Sequence, residues 1–344
     1  MITSRIRPAL AVVAFAIAVL AGYSFEPEEK VWEISGPVFG TRYNINLVLA
    51  EDRARLDELA AGIGGVLKDV DMAMSTWRED SELSRFNRTE DQSQWFEISR
   101  PLYEVLSAAR EISELSGGAF DVTVGPVVNL WGFGPEARPE QVPGDNALAA
   151  VLENVGYETL ELRDDPPAVR AESRQYVDLS AIAKGYGVDA VAEYLQKEGV
   201  NAFLVEIGGE VWATGRKPGN QPWRLAIEEP VAEQRQVNRI VVLADMGMAT
   251  SGDYRNYYES RGQRFSHTID PLSGKPISHN LASVSVIAEN CMMADGLATA
   301  FNVMGYEKAM ALATRENMAA YFIVRGELGF ESRHTPAFSS YIVD

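Results

Sequence analysis

Helical and strand-like hydrophobic patterns follow one another along this chain in no regular order. Residues 51–74 place apolar side chains at helical spacing: Leu56, Leu59, Ile63, Val66, Leu67, Val70 and Met74. Residues 202–207, 210–214, 224–227 and 240–244 instead read as successive strands with no helix between them. A doubly wound parallel sheet needs a helix after each strand. The pattern therefore favours an α+β fold, with mixed or antiparallel sheets flanked by helices.

The length suits one large domain with two lobes, or two smaller domains. The chain has 344 residues, of which 46% are hydrophobic, and this is enough for a sizeable core. No repeat, low-complexity tract or break in composition divides it. The remaining patterns predict helices over 101–116, 145–155, 184–198, 293–303 and 306–314, strands over 43–49, 282–288 and 319–324, and a surface loop over 132–147.

The N-terminus has the pattern of an export signal. Arg5 and Arg7 precede a fourteen-residue apolar run, which is short for a membrane-spanning helix of about 20 residues. We expect residues 1–21 to be a signal peptide or an uncleaved anchor, and residues 22–30 to be a polar tether. A lipoprotein signal requires cysteine where this chain has Tyr23, so no lipid anchor is expected. The prediction is a periplasmic protein, soluble after cleavage or tethered to the inner membrane and facing the periplasm.

Charge and cysteine content exclude several classes of function. The formal net charge is −18, and a surface this acidic repels phosphate backbones, so nucleic-acid binding is not expected. A small anionic ligand is still compatible with that charge, because it needs only a local positive site. Cys291 is the one cysteine, so neither an internal disulfide nor a zinc site built on several thiolates is available.

The segment 178–190 has two competing interpretations. Gly185 to Ala190 matches G-x-G-x-x-A, which after a strand marks a dinucleotide-binding turn and would indicate a Rossmann oxidoreductase. The preceding strand-like run, residues 176–179, is short and ends well before Gly185. Asp178, Ser180 and Lys184 also surround a predicted helix start, where free N–H groups attract anions. The alternative for these three residues is a serine N-cap beside solvated charges.

Three other patterns are candidates for chemistry. Asp295 and Thr299 are four residues apart on one face of a predicted helix, and their oxygens suit Mg²⁺; an ordinary helix start is the alternative. His267 lies in a turn-rich segment, and a lone histidine is more often structural than catalytic. The glycine pairs 117–118 and 208–209 allow close approach of a backbone or a flat ligand, or are simple turns.

Taken together, these segments resemble the ApbE family of flavin transferases (FAD:protein FMN transferases). The matching segments come in the family's order and cover most of the chain. They are Val38–Tyr43, Ser75–Trp77 with Ser81–Asn87, Gly117–Pro126, Asp178–Tyr186, Glu206–Glu210, Thr250–Tyr254, Ser266–Gly274 and Asp295–Thr299.

The resemblance implies a fold and an activity. It implies one catalytic domain over residues 31–344, with two lobes and an FAD site between them. The implied reaction is the Mg²⁺-dependent transfer of FMN from FAD to a Ser or Thr hydroxyl of another flavoprotein, through a phosphoester, with release of AMP. An acceptor of this family carries D-x-x-[ST]-G-A-[ST]. This chain has no such run, so we expect the acceptor to be a different, exported protein.

The resemblance also implies roles for individual residues. Metal ligands carry over onto Asp295, Thr299 and the main-chain carbonyl of Ala181. Asp295 and His267 carry over as catalytic residues, with His267 a candidate base for the acceptor hydroxyl, since imidazole titrates near neutral pH. The flavin and nucleotide contacts carry over onto Phe39, Trp77, Ala119, Phe120, Asp121, Asp178, Lys184 and Ile269.

Two alternatives within the same resemblance stay open at this point. The same site with water as the nucleophile would be a Mg²⁺-dependent FAD pyrophosphatase that gives FMN and AMP. A protein that binds FAD without turnover would lack the metal ligands, and the presence of Asp295 and Thr299 argues against it.

Overall fold

A computed structural model describes residues 29–50, 53–134, 142–231, 236–254, 257–260 and 263–343. The predicted leader, most of the predicted tether and the middle of the predicted loop over 132–147 lie outside these residues. Within the described ranges, no helix combines the length and the apolar character that crossing a membrane requires.

The strands confirm the predicted α+β class. In chain order they are β1 (Glu29–Val38), β2 (Thr41–Ala50), β3 (Phe96–Glu97), β4 (Leu160–Arg163), β5 (Ala168–Ala171), β6 (Phe203–Ile207), β7 (Glu210–Thr214), β8 (Trp223–Glu228), β9 (Val237–Leu243), β10 (Met246–Gly252), β11 (Tyr257–Ser260), β12 (Gln263–Ser266), β13 (Ile269–Asp270), β14 (Lys275–Pro276), β15 (Leu281–Ala288), β16 (Ala319–Gly326), β17 (Gly329–His334) and β18 (Ile342–Val343).

An eight-stranded sheet is the centre of the fold, with the order β1-β2-β6-β7-β10-β15-β16-β17. Each neighbouring pair in it is antiparallel. Two three-stranded sheets, β18-β9-β8 and β3-β5-β4, and the hairpins β11-β12 and β13-β14 surround it. Antiparallel neighbours are incompatible with the parallel sheet of a dinucleotide-binding domain, so the Rossmann alternative is wrong.

Eight helices of the described chain flank these sheets. They are α1 (Arg53–Met74), α2 (Glu82–Arg88), α3 (Arg100–Ser116), α4 (Gly125–Leu130), α5 (Asp145–Leu152), α6 (Ala183–Lys197), α7 (Cys291–Met304) and α8 (Tyr306–Arg315). The apolar face predicted for α1 is confirmed: apart from a half-buried Val66, its members are buried. It packs with α6 against the β1, β2 and β6 side of the large sheet.

Helix α7 lies in the middle of the core. It packs against β10 and β15 of the large sheet and against α3 and α6. Most of its residues are buried, including Ala294, Leu297 and Phe301, as expected for a helix that is apolar all round. Asp295 lies in this apolar helix and is itself only 4% exposed. A carboxylate in such a position is costly unless it is paired, so its surroundings decide its role.

Three local predictions differ from the structure. Residues 176–179 are extended but form no strand: the Asn87 side chain exchanges two 2.8 Å hydrogen bonds with the backbone of Val177 instead. The segment after Gly117 does not continue as an extended stretch but turns directly into α4. Glu29 and Lys30 belong to β1 rather than to the tether. At residues 176–179, a long-range partner that the sequence does not show takes the place of a neighbouring strand.

Candidate active site

A cavity of about 910 Å³ opens between two parts of the molecule. One part of its lining, the charged wall, comes from β2, the β6–β7 turn, β10, α6 and α7. A second part of the lining, the His267 wall, comes from residues 119–133 and 267–271, which border a smaller apolar cluster built on Trp131, Leu148 and Phe265. The volume suits a large organic ligand.

The cavity brings together most of the predicted site residues. Its lining includes Ala119, Phe120, Asp121, Asp178, Ala181, Lys184, His267, Ile269, Asp295 and Thr299. Phe39 and Trp77 are not among its lining residues. Phe39 has a φ of +48° and packs against the core beside Gly187, whereas Trp77 is 72% exposed on the surface. The contacts predicted for Phe39 and Trp77 stay predictions.

Lys184 lies between two buried carboxylates at the centre of the charged wall. Its Nζ is 3.0 Å from Oε1 of Glu210 and 3.3 Å from both carboxylate oxygens of Asp295. Burial raises the pKa of Glu210 to about 8 and also raises the pKa of Asp295. Burial acts against the Lys184 ammonium, but the two carboxylates outweigh it and raise its pKa. One ammonium group therefore pairs with two buried carboxyl groups.

The donor atoms around this group fit a Mg²⁺ ion with few protein ligands. The Asp295 carboxylate, the Thr299 hydroxyl and the Ala181 segment line one cavity, and hard oxygen donors suit Mg²⁺. Oε2 of Glu210 is buried without a hydrogen-bond partner, so this group still has an oxygen acceptor that no described protein atom uses. Nowhere in the described chain do three or more His, Cys, Asp or Glu side chains cluster as in a zinc site.

Asp121 and Asp178 shape the turns that form the cavity. Asp121 accepts hydrogen bonds from the backbone of Thr123 (2.7 Å) and Tyr157 (3.0 Å), although burial raises its pKa. Asp178 accepts a 2.8 Å hydrogen bond from the backbone N–H of Ser180. The serine N-cap considered for the α6 start is therefore wrong: α6 begins at Ala183, and its N-cap position makes no side-chain bond.

His267 lines the second part of the cavity, directly after β12. It is half-buried, and its ring meets the Phe133 ring edge to face at 6.4 Å between centroids. Asn302, on α7, donates hydrogen bonds to Oγ of Ser251 (3.2 Å) and Oγ1 of Thr268 (3.4 Å). The amide thus connects the helix of Asp295 to the residue that follows His267.

The two glycines of the G-x-G-x-x-A match lie inside α6, where they serve helix packing. A Cβ on Gly185 would overlap the carbonyl group of Cys291, and a Cβ on Gly187 would lie 2.9 Å from the Phe39 ring. Both positions therefore need glycine for close contact between elements, and this explains the motif without a dinucleotide.

Comparison with known proteins agrees with this architecture. The model of a family described as the ApbE family matches residues 39–322. The chain belongs to the ApbE family. A relative from Vibrio cholerae named FAD:protein FMN transferase is 44% identical over 330 residues, which cover 96% of this chain and 98% of that protein. A Haemophilus influenzae protein of the same name is 44% identical and covers 95% of both chains.

A solved ApbE-family structure has the same fold. The flavin transferase ApbE from Vibrio cholerae superposes with a TM-score of 0.84 at 43% sequence identity, and the match covers 91% of this chain and all of that one.

Three residues at this ApbE-family site received no role from the sequence. Glu210 pairs with Lys184, and Asn302 bonds to Thr268 next to His267. Asp189 accepts hydrogen bonds from the first turn of α7. Asn302 had a signal, because it is seven residues after Asp295 and hence on the same helical face. Asp189 lies within the glycine match, but at a position where that motif specifies no residue type.

Proposed function

We propose that this chain transfers the FMN half of FAD to a Ser or Thr hydroxyl of another protein, with Mg²⁺ bound and AMP released. The observation that carries the proposal is one cavity whose lining includes Lys184, Asp295 and His267, with Lys184 hydrogen-bonded to Asp295. Support comes also from relatives at 44% identity that are named FAD:protein FMN transferase.

The proposed reaction is a phosphoryl transfer. The acceptor hydroxyl oxygen forms a bond to the phosphorus of the FMN half, the pyrophosphate bond to AMP breaks, and the hydroxyl proton moves to the His267 ring. Lys184 places a positive charge beside the pyrophosphate. Asp295, Thr299 and the carbonyl of Ala181 would hold Mg²⁺, which supplies charge neutralisation and Lewis-acid activation of the leaving group.

The flavin half would lie along the rest of the cavity. Ala119 and Phe120 come from the turn that Asp121 holds, and Ile269 lies on the His267 wall. Phe39 and Trp77 are proposed as further flavin contacts. Since both lie outside the lining, they would have to meet the part of FAD that extends beyond the cavity.

The acceptor is proposed to be an exported flavoprotein carrying D-x-x-[ST]-G-A-[ST]. The predicted leader would place this chain in the periplasm, either free or held at the inner membrane through its N-terminus. Enzyme and acceptor would then share one compartment.

A mass-shift assay tests the proposed function. The full chain is mixed with FAD, Mg²⁺ and an acceptor domain with the motif, in parallel with an EDTA sample and an acceptor whose target Ser or Thr is alanine. A Mg²⁺-dependent gain of one FMN on the intact motif supports the transferase. Accumulation of free FMN and AMP without a mass gain would identify a pyrophosphatase. If neither a mass gain nor free FMN and AMP is observed, both the transferase and the pyrophosphatase are overturned.

A further inference from the structure

Helices α6 and α7 start side by side, and each supplies a carboxylate to the first turn of the other. Asp189 of α6 accepts hydrogen bonds from the backbone N–H groups of Cys291 (2.7 Å) and Met292 (2.8 Å). Asp295 of α7 in turn accepts a 3.0 Å hydrogen bond from the N–H of Gly185. The first N–H groups of a helix have no partner within it, so each carboxylate satisfies donors that would otherwise be unpaired.

The first turn of α7 has backbone neighbours on two sides. Gly185 of α6 lies against the carbonyl of Cys291, and Gly247 of β10 lies against its N–H group, with no room for a Cβ at either glycine. Asn290 caps the same turn through a 2.8 Å hydrogen bond from the N–H of Met293. The close contact between Gly185 and the carbonyl of Cys291 fixes the distance between α6 and α7. The Asp189 hydrogen bonds join α6 to two specific residues of α7, Cys291 and Met292.

The register of the two helices decides what Asp295 can contact. Asp295 is four residues after Cys291, about one helical turn further along α7. A shift of α7 by one residue would rotate its side chains by about 100° and remove Asp295 from Gly185 and Lys184. The geometry of the charged wall therefore depends on the alignment that Asp189 provides.

The position of Asp189 is costly for a carboxylate. Burial raises its pKa to about 6, although the hydrogen bonds from Cys291 and Met292 act in the opposite direction. An uncharged serine or asparagine can cap a helix start without the desolvation of a carboxylate, as Asn290 does here. Asp189 is half-buried, and a charge in addition to the Asn290 cap is more than ordinary capping requires.

We propose that Asp189 is a positioning residue for the catalytic centre: by holding the first turn of α7 against α6, it aligns Asp295 with Lys184 and with the Mg²⁺ position. It does not itself line the cavity. The effect on Mg²⁺ rests on the proposed function, whereas the alignment of the helices does not.

The test compares Asp189→Asn and Asp189→Ala with Thr335→Val in the full chain. Thr335 is a matched control, because it is fully buried, bonds the backbone of Met318 and Ala320, and is not a cavity residue. Three quantities are measured: the melting temperature, the hydrogen-exchange protection of the Gly185 amide without ligands, and the Mg²⁺ concentration that gives half-maximal transfer.

We expect Asp189→Ala to lower the protection of the Gly185 amide at least tenfold and to raise the half-maximal Mg²⁺ concentration at least tenfold. Asp189→Asn, which retains one acceptor oxygen, should give a smaller change in the same direction. Thr335→Val should lower the melting temperature and leave both other quantities near the wild-type values.

The proposal is overturned if both Asp189 variants leave the Gly185 amide as protected as it is in the wild type. It is also overturned if they change that protection and the half-maximal Mg²⁺ concentration no more than Thr335→Val does. If Asp189→Ala does not fold, Asp189→Asn alone decides. A wild-type chain that transfers no FMN would refute the proposed function, and the exchange measurement would still test the alignment.

Discussion

The two walls of the cavity are built in different ways. The charged wall rests on α6 and α7, helices of 15 and 14 residues, and hydrogen bonds or ion pairs from protein groups hold Lys184, Glu210 and Asp295. The His267 wall rests on short elements that rings hold together: Trp131 and Tyr258 each pack on Phe265, with centroids 5.4 and 5.3 Å apart.

Under the proposed function, this difference corresponds to different parts of the reaction. Charges need exact distances, and long helices packed at backbone contact keep them. The His267 wall would admit a residue of another protein, and the hydrogen bond from Asn302 to Thr268 joins it to α7. Damage to the charged wall should therefore affect every step, whereas damage to the His267 wall should affect mainly the acceptor step.

The largest expected effect comes from removing the carboxylate of the charged wall. Asp295→Ala should reduce Mg²⁺-dependent transfer by about 10³-fold or more, because it removes both the proposed metal ligand and a partner of Lys184. Asp295→Asn keeps an acceptor for the Gly185 N–H but not the charge, and should be nearly as inactive. Single-turnover transfer rates measure both variants, and unchanged turnover would remove Asp295 from the mechanism.

Lys184→Met tests the charge balance of the same wall. It leaves Glu210 and Asp295 buried without a counter-charge, so the free energy of unfolding should fall by about 3 kcal/mol in Mg²⁺-free buffer. The control is Lys197→Met, which breaks an exposed pair with Glu193 and should cost less than about 0.5 kcal/mol. Equal losses in urea unfolding would show that the Lys184 group is not a buried network.

His267→Ala should separate the two walls. Transfer should slow by about 10²-fold, the usual contribution of a general base, while FAD binding stays close to wild type. His334→Ala is the matched control, since His334 lies on β17 away from the cavity. FAD fluorescence titration and the mass-shift rate give the two quantities. A transfer rate unchanged by His267→Ala would exclude His267 as the base.

Asp189 should give the charged wall a recognisable pH dependence. Its folded pKa of about 6 lies above its ordinary value of 3.8, because burial disfavours the carboxylate and Asp295 lies nearby. The folded state therefore binds the proton more tightly, and the Asp189 contribution to the free energy of unfolding decreases by about 2 kcal/mol as pH rises from 4 to 6. Urea unfolding of Asp189→Asn should lack this decrease, and parallel curves would contradict it.

Asn302→Ala should have the smallest effect on stability and transfer, and that effect should concern the His267 wall. The loss of hydrogen bonds to Ser251 and Thr268 should cost about 1 kcal/mol of stability. Acceptor transfer should slow more than FAD binding weakens. Asn87→Ala is the comparison variant, since Asn87 supports Val177 next to Asp178, and it should weaken FAD binding instead. The same profile in both variants would show that Asn302 has no particular effect on the acceptor step.

Much of this architecture was accessible from the sequence. Hydrophobic periodicity predicted the helices α1, α3, α6, α7 and α8 and most strands of the large sheet to within a few residues. Short segments in the family's order predicted residues of which most line one cavity, whereas Phe39 and Trp77 do not. The same reasoning failed at residues 176–179, where Asn87 replaces the strand partner.

The sequence by itself determined the fold class, the family and the residue types that meet in the cavity, since these follow from local periodicity and from motifs. Only the tertiary structure decided how those residues act on one another. It placed Glu210 against Lys184, Asp189 under the first turn of α7, and Gly185 against Cys291. The physical reason is that pKa values, pairing and close packing depend on distances between segments far apart in the chain, which no local pattern encodes.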